Sequence, residues 1–436
     1  MTQTNPTFRG AEPTWANACV GNNGNPSYVE YSIGFSKAAN ILIDLVINDH
    51  SSNLSVDEFV YPVCFNMRHS VELRLKGAIE ELIEIAKIKK NTLQFDSSGS
   101  HDIGSIWGFF QAQSEIIDSR YSGVNKKIEP TILDIAQVDP TGQTFRYATS
   151  NTAQKHLTDV SLINFIVLKR KFNELEENLD ELHRLNKWLQ IEYRQGTFTS
   201  KLSRPQIFRI AKKLPRSDKW REPEFIEIKE QIKFEYDLGS RDFSKALDKI
   251  KCHYSLAPMI STPIPIKGVS EQQILFFINE WIKKNPSIKE PPRLTFTEVS
   301  FDKESMLARI LARALEKDTI WDAVADEACA TYISGIESLY YFARDTSFTE
   351  YYNTIYETHT REANNSLKFN ATLKDEFMHI FKKSNALSNI LLSLYTLGHA
   401  NLVDSIIQTH ELENSFNWLT EVRSGQRFAY PDFAGY

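Results

Sequence analysis

The chain has 436 residues and a formal net charge of −6; 42% of its residues are hydrophobic and 24% are charged. This composition excludes a mainly disordered chain, and the charge excludes a globally basic coat for nucleic acid, although not a local basic patch. The length suggests two or three domains, and the low counts of 17 Gly and 16 Pro favour a mainly α fold built from long helices.

The helical pattern begins after an irregular arm, residues 1–30, that is rich in Asn, Thr, Gly and Pro. From Tyr31 onward, apolar residues recur at helical spacing and predict one buried stripe. The residues of this stripe are Phe35, Ala38, Ala39, Leu42, Leu45 and Val46. A second helix is predicted from about residue 60 to residue 89, and a polar loop follows at residues 91–100.

A third helix is predicted to begin at His101-Asp102 and to continue to Ile116. Asp102 or Ser100 is expected to be its N-cap, because a side-chain oxygen there can accept a hydrogen bond from the first turn. Residues 126–151 are predicted to be irregular, with a turn at residues 139–142.

The clearest periodic signal covers residues 159–193, where core-type residues alternate at spacings of three and four. The seam consists of Phe165, Leu168, Phe172, Leu175, Leu179, Leu182, Asn186, Leu189 and Tyr193. This pattern predicts one long helix with an Asn at an a-like position. Two interpretations stay open: the helix packs inside the bundle of its own domain, or it forms an intermolecular coiled coil.

Residues 201–221 contain eight basic residues against one acidic residue, Asp218, and they include a predicted short helix at residues 206–214. As a phosphate-tracking patch they would bind RNA or DNA, with Phe208 and Trp220 as stacking faces. The candidate nucleic-acid-binding residues are Arg209, Lys212, Lys213, Arg216 and Lys219. Alternatively, the segment is a solvated linker helix whose positive charges are balanced by the acidic stretch at residues 222–237.

Composition also divides the chain into segments. Proline-rich connections are predicted at residues 258–265 and 289–294, and helices at residues 301–315, 321–342 and 373–409. The predicted organisation has four parts. These are the arm at 1–30, a helical domain at 31–200, a basic and mixed middle region at 201–295 and a helical C-terminal domain at 296–436.

Several common chemistries lack their sequence signatures. The chain has no phosphate-binding P-loop, no GxGxxG, no HExxH and no GxSxG, so neither a cofactor nor a metal is predicted. Its four cysteines are scattered without a CxxC pair, which is typical of a reduced protein. No apolar run could span a bilayer and the N-terminus does not resemble a secretory signal, so a cytoplasmic location is expected, with no membrane partner.

The second predicted helix carries a cluster of polar residues. Spacing places His69, Glu72 and Lys76 at i, i+3 and i+7, and Arg68 lies four residues before Glu72. Apolar residues occupy the other sectors, so the ionic face is predicted to be largely buried. The cluster is then either an intrahelical salt ladder that supports the fold, or a site in which Arg68 binds phosphate and His69 exchanges protons.

Two further elements could contribute to such a site. His101 and Asp102 stand at the predicted start of the third helix, where Asp102 would act as a cap and His101 could join an acid–base pair. Arg146 belongs to a loop, and loops deliver functional side chains to helical scaffolds.

The run YPVCFNMRHSVELRLKGAIEEL at residues 61–82, with HDIGSIW at 101–107 and FRYA at 145–148, resembles bacterial HEPN-like proteins of the higher eukaryotes and prokaryotes nucleotide-binding superfamily. The resemblance implies an all-α bundle that often forms a homodimer. Many members are metal-independent ribonucleases in toxin–antitoxin or antiphage systems, and others have lost catalysis and bind nucleotides or protein partners. Active members place a His several residues after an Arg, whereas Arg68 and His69 are adjacent.

Two functions are therefore expected. The first is an RNA-directed defence or toxin-type ribonuclease, with Arg68, His69, Glu72 and His101 as catalytic residues. Lys76, Asp102 and Arg146 would support this site. The second is a non-catalytic HEPN-like scaffold or sensor that binds a nucleotide or a protein partner of a defence system.

Overall fold

The computed structural model describes residues 5–48, 54–149, 155–289, 319–322, 324–325, 329–368 and 373–436. These residues are mainly helical, which confirms the predicted fold class, and their only β pairing is an isolated bridge between Thr149 and Lys155. The helix predicted at 301–315 and most of the connection predicted at 289–294 lie outside this part of the chain. Within it, no helix has an apolar stretch long enough to cross a bilayer.

The chain divides into two compact units, Met1–Arg194 and Gln195–Tyr436. The first unit contains five helices among its described residues: α1 (Tyr28–Asn48), α2 (Val56–Ile88), α3 (Ile103–Ile117), α4 (Tyr121–Val138) and α5 (Phe165–Arg194). The N-cap of α3 is Asp102, since its Oδ1 accepts a hydrogen bond of 2.7 Å from the Ser105 N–H. Of the two caps that the sequence suggested, this residue is therefore the one used.

The buried face of α1 shares Ala39 and Val46 with the predicted stripe and differs from it at the other positions. Its buried residues are Ser32, Ser36, Ala39, Ile43 and Val46, whereas Leu45 is exposed. Small residues prevail because α1 lies very close to α2: a Cβ added at Gly77 would lie 2.6 Å from a methyl of Val29. The large residues of the predicted stripe would hold the two helices farther apart.

The prediction of an irregular segment at residues 126–151 is wrong over its first half. Helix α4 continues to Val138 although Pro130 lies inside it. Val124, Ile128 and Ile132 are buried at intervals of four residues, and the helix packs on α3 and α5. This packing outweighs the one backbone hydrogen bond that proline cannot make. The predicted turn follows α4, with Gly142 at a φ of +75°.

The long helix predicted at residues 159–193 is observed as α5, which begins six residues later, at Phe165. Its seam residues face the bundle, and α5 packs mainly on α2 and α4. Asn186 is fully buried, where it accepts a hydrogen bond from the Tyr121 hydroxyl and donates one to Glu81. The seam is thus occupied within the unit and is not free to form an intermolecular coiled coil.

The second unit consists of shorter helices. They are α6 (Arg204–Lys213), α7 (Pro223–Glu235), α8 (Ser240–Lys251), α9 (Glu271–Lys284), α10 (Ala330–Phe342), α11 (Tyr351–Lys368), α12 (Leu373–Phe381), α13 (Ala386–Thr396), α14 (Ala400–His410) and α15 (Leu419–Arg423). One hydrophobic cluster is centred on α6 and α8, and a larger one includes α9, α10 and α12–α14.

The predicted helix at residues 373–409 is in fact divided into α12, α13 and α14. The second break lies at Gly398, whose φ of +87° is in the left-handed region that favours glycine. A Cβ there would also lie 2.3 Å from the ring of Pro258. The chain reverses where only glycine fits, and helical periodicity alone does not signal such a contact.

Glu337 of α10 is a buried acid that makes the stability of the second unit depend on pH. Burial, together with the charges of Glu376 and Glu362, raises its pKa to about 7. Between the ordinary pKa of 4.5 and this value the folded chain keeps a proton that the unfolded chain releases. We therefore expect Glu337 to lower the free energy of unfolding by roughly 3 kcal/mol as the pH rises from 4.5 to 8.

Urea denaturation of Glu337→Gln and of the wild type at pH 5 and pH 8 measures this effect. The variant is expected to gain stability relative to the wild type mainly at pH 8. Neighbouring His359, whose Nδ1 is 3.5 Å from Glu337, is present in both proteins. Glu357→Gln, at an exposed position of the same unit, is the control and should show no such difference. An equal effect of Glu337→Gln at both pH values would contradict the prediction.

Candidate functional site

The α2 ionic cluster consists of Arg68, Glu72, Lys76 and His101. The first three lie four residues apart on α2, and their side chains are at most 5% exposed. The Lys76 ammonium is 2.8 Å from Glu72 Oε1, Arg68 Nη1 pairs with Glu72 Oε2, and His101 Nδ1 lies 3.0 Å from Glu72 Oε1. Four of the predicted site residues therefore meet at one carboxylate.

Arg68 also holds the main chain of neighbouring segments. Its Nε donates to the carbonyl oxygen of Asp139 at 3.2 Å, and its Nη2 donates to those of His101 and Pro140 at 2.6 and 2.7 Å. The turn after α4 closes over the guanidinium so tightly that a Cβ at Gly142 would lie 3.2 Å from Nη1. Four of the five N–H donors of Arg68 thus have protein acceptors.

Glu72 is ionised within this cluster. Burial by itself would raise its pKa, but the hydrogen bond from Lys76, the charge of Arg68 and the hydrogen bond with His101 together hold the pKa below its ordinary value. Two buried cations thus share one buried anion, an arrangement in which each charge depends on the others for its solvation.

His101 is the accessible member of the cluster. Its side chain is 62% exposed, while the carboxylate that it contacts is buried. A buried carboxylate that orients an exposed imidazole is suited to a general acid or base. Its neighbour Asp102 does not join the cluster but caps α3, as described above.

His69 and Arg146 form a separate group. The His69 ring meets Phe35 edge-on at 4.4 Å and stacks on Phe65 at 5.8 Å, and burial lowers its pKa. The Arg146 guanidinium lies over Phe65 at 5.6 Å. Of the predicted group of His69, Glu72 and Lys76, the last two are paired. His69 contacts aromatic rings instead, although the nearby Glu72 charge acts to raise its pKa and the Lys76 charge to lower it.

The basic segment at residues 201–221 is partly neutralised by the acidic stretch that follows it. Lys201 pairs with Asp237 at 3.2 Å, and Lys213 pairs with Glu235. Both ion pairs agree with the linker alternative. Among the other candidate nucleic-acid-binding residues, Arg209, Lys212 and Lys219 are exposed, as is Arg216, which lies 3.5 Å from Asp218.

The two aromatic residues proposed as stacking faces are already in use. Phe208 is buried in the core around α6, and Trp220 stacks on Phe225 with ring centroids 5.2 Å apart. A base would have to displace these contacts before it could stack. The segment therefore offers exposed cations to a phosphate backbone but no free aromatic platform at these two positions.

Arg204 belongs to the basic segment at residues 201–221, but it is 1% exposed. Its guanidinium binds Glu350 at 2.9 and 3.1 Å and donates to the hydroxyls of Tyr436 and Tyr430 at 2.6 and 3.1 Å. It also lies 4.4 Å from the Phe208 ring centroid. Glu350, Tyr430 and Tyr436 are 146 to 232 residues away along the chain, so no local pattern indicates this role.

The first unit also contains a cleft, the interior cleft, that no sequence pattern predicted. The interior cleft has a volume of about 500 Å³ and is formed by α2, α4, the segment after α4 that contains Asp139 and Phe145, residues 160–164 and α5. Its apolar lining includes Met67, Ile135, Val138, Phe145, Ile163, Leu168, Phe172 and Leu175. Arg68, Asp134, Asp139 and Lys171 are the charged residues that line it.

Comparisons of this chain with protein-family models, with curated proteins and with solved structures find no match. The resemblance to HEPN-like proteins therefore depends on the sequence features around Arg68, His101 and Arg146. In the described part of the chain, no group of three or more His, Cys, Asp or Glu side chains is arranged to hold a metal ion.

Proposed function

We propose that the chain is a non-catalytic scaffold or sensor of the HEPN-like kind, in which the α2 ionic cluster stabilises the helical bundle. The observation that supports this proposal is the state of Arg68. A cation that stabilises a phosphoryl transition state needs donors directed at the phosphate. The Arg68 guanidinium is 4% exposed, and four of its donors are bound to Glu72 and to three main-chain carbonyls.

A metal-independent ribonuclease is the second candidate, and the pairing of His101 with Glu72 favours it. Attack by a ribose 2′-hydroxyl requires a base, an acid and a nearby cation. His101 is exposed and oriented by a carboxylate, so it has the properties of the base. The cation would have to come from outside the cluster, for example from a second copy of the chain.

One assay separates the two functions. The purified full chain is incubated with total RNA and a defined tRNA in EDTA, together with His101→Ala and, as a control, His379→Ala at an exposed position in the other unit. We expect no cleavage by any of the three proteins, because the cluster lacks a cation that could reach a phosphate. Cleavage by the wild type and His379→Ala that falls at least about 100-fold in His101→Ala would instead establish the ribonuclease.

A further inference from the structure

The interior cleft contains a buried acceptor that the protein itself does not satisfy. Asp139 lines the cleft and is 1% exposed. Its Oδ1 accepts a hydrogen bond of 3.0 Å from the Thr144 N–H, and its main-chain oxygen accepts from Arg68. Its Oδ2 has no hydrogen-bond partner among the described residues. Buried carboxylate oxygens normally have donors, so a ligand that reached this atom from the cleft would supply the donor that the described residues do not.

The charged residues around the cleft determine which charge a ligand's donor group should carry. Asp134 contributes a second carboxylate to the lining. The Arg68 guanidinium is directed to Glu72 and the main chain, and Lys171 is exposed on α5. Cys64, also in the lining, is a neutral thiol because burial and then the charge of Asp139 raise its pKa to about 12. Beside the carboxylates of Asp134 and Asp139, a cationic donor is therefore favoured over an anionic group.

The remaining residues of the lining determine the size and polarity of the rest of the ligand. Aliphatic and aromatic side chains from α2, α4 and α5 surround the cleft, and its volume is in the usual range for sites that bind small molecules. A flat or elongated apolar group would bury its surface there and gain hydrophobic stabilisation. Charged sugar–phosphate groups would find one exposed cation in the lining, Lys171, and would lie beside the carboxylates of Asp134 and Asp139.

We propose that the interior cleft binds a small amine with an aromatic or aliphatic body, whose ammonium group donates to the Asp139 carboxylate. The inference extends the proposed sensor function by naming the class of ligand, and it concerns residues apart from His101. It thus stands on the cleft geometry even if the RNA assay reveals a nuclease.

Equilibrium dialysis of the full chain against three matched probes tests this assignment. The probes are tryptamine, tryptophol and indole-3-propionate, which share an indole and differ in carrying an ammonium, a hydroxyl or a carboxylate. The wild type is expected to bind one equivalent of tryptamine, to bind tryptophol at least about tenfold more weakly, and to bind the carboxylate more weakly still.

Two variants locate the site. Asp139→Asn keeps the acceptor for Thr144 but removes the charge, so the preference for tryptamine over tryptophol should disappear. Val167→Trp, at a half-exposed position in the lining, should block all three probes, and it covers the case in which Asp139→Asn does not fold. Ile166→Trp, at an exposed neighbouring position outside the lining, is the matched control and should bind like the wild type.

The proposal is overturned if the wild type binds no tryptamine at millimolar concentration or binds the carboxylate as tightly as the amine. It is also overturned if Val167→Trp binds tryptamine like Ile166→Trp. Because dialysis is carried out without RNA, these results are independent of the cleavage assay. A protein can therefore fail one test and pass the other.

Discussion

Replacement of Arg68 by methionine is expected to lower the free energy of unfolding of the first unit by about 3–5 kcal/mol. Methionine fills part of the space of the side chain but donates nothing. The carbonyls of His101, Asp139 and Pro140 would lose their guanidinium donor, and Glu72 would keep only Lys76 as a buried cation. Urea denaturation followed by circular dichroism measures the loss.

Arg146→Met is the matched control for this prediction. Arg146 is exposed, and its contacts are with the faces of aromatic rings, so its replacement should cost less than about 1 kcal/mol. Arg68→Lys should not restore stability, because a single ammonium cannot reach four acceptors in different directions. If Arg68→Met were as stable as Arg146→Met, the guanidinium would not be a structural group, and the proposed scaffold function would lose its main support.

Replacement of Arg204 by leucine should have a comparable effect on the second unit, again about 3–5 kcal/mol. Glu350 would keep His253 at 2.9 Å and the Thr197 hydroxyl at 2.7 Å but no guanidinium, and the hydroxyls of Tyr430 and Tyr436 would lose their shared donor. Although burial alone would raise it, the hydrogen bond and charge of His253, followed by the charge and hydrogen bond of Arg204, hold the pKa of Glu350 far below its ordinary value.

Limited proteolysis provides a second measurement for Arg204→Leu. Since Tyr430 and Tyr436 are held by this guanidinium, the variant should be cleaved near its C-terminus faster than the wild type. Arg209→Leu, on an exposed face of the same helix, serves as the control and should behave like the wild type. Equal stability of the two variants would show that Arg204 belongs to the surface patch, as its sequence context suggests.

Sequence patterns predicted four of the five α-helices described in the first unit, because residues close together in the chain carry the signals for them. The seam of α5 repeats over many turns, and Asp102 is a capping residue directly before an apolar run. Helix α4 was missed since Pro130 interrupts its pattern, and only the packing of Ile128 and Ile132 against other helices explains why the helix continues.

Within the candidate site, only the contacts between residues of the same helix could be predicted from the sequence. Arg68, Glu72 and Lys76 are neighbours on one helix, so their spacing gives the ladder directly. The three carbonyls that bind Arg68 come from segments 33 to 72 residues away and became visible only in the fold. The interior cleft arises from residues on three helices and in two segments between α4 and α5, and the sequence carries no local signal for such a space.

The contacts of Arg68 also determine which positions around it can be substituted in related sequences. It binds main-chain oxygens of residues 101, 139 and 140, and every amino acid supplies that oxygen. Substitutions at positions 101 and 140 therefore leave those acceptors in place, whereas a change at Arg68 or Glu72 removes the interaction. Gly142 is constrained for a different reason, since its positive φ and its nearness to the guanidinium exclude a side chain. Selection to keep these Arg68 contacts would conserve Arg68, Glu72 and Gly142. The side chain at position 101 could change without loss of its main-chain acceptor.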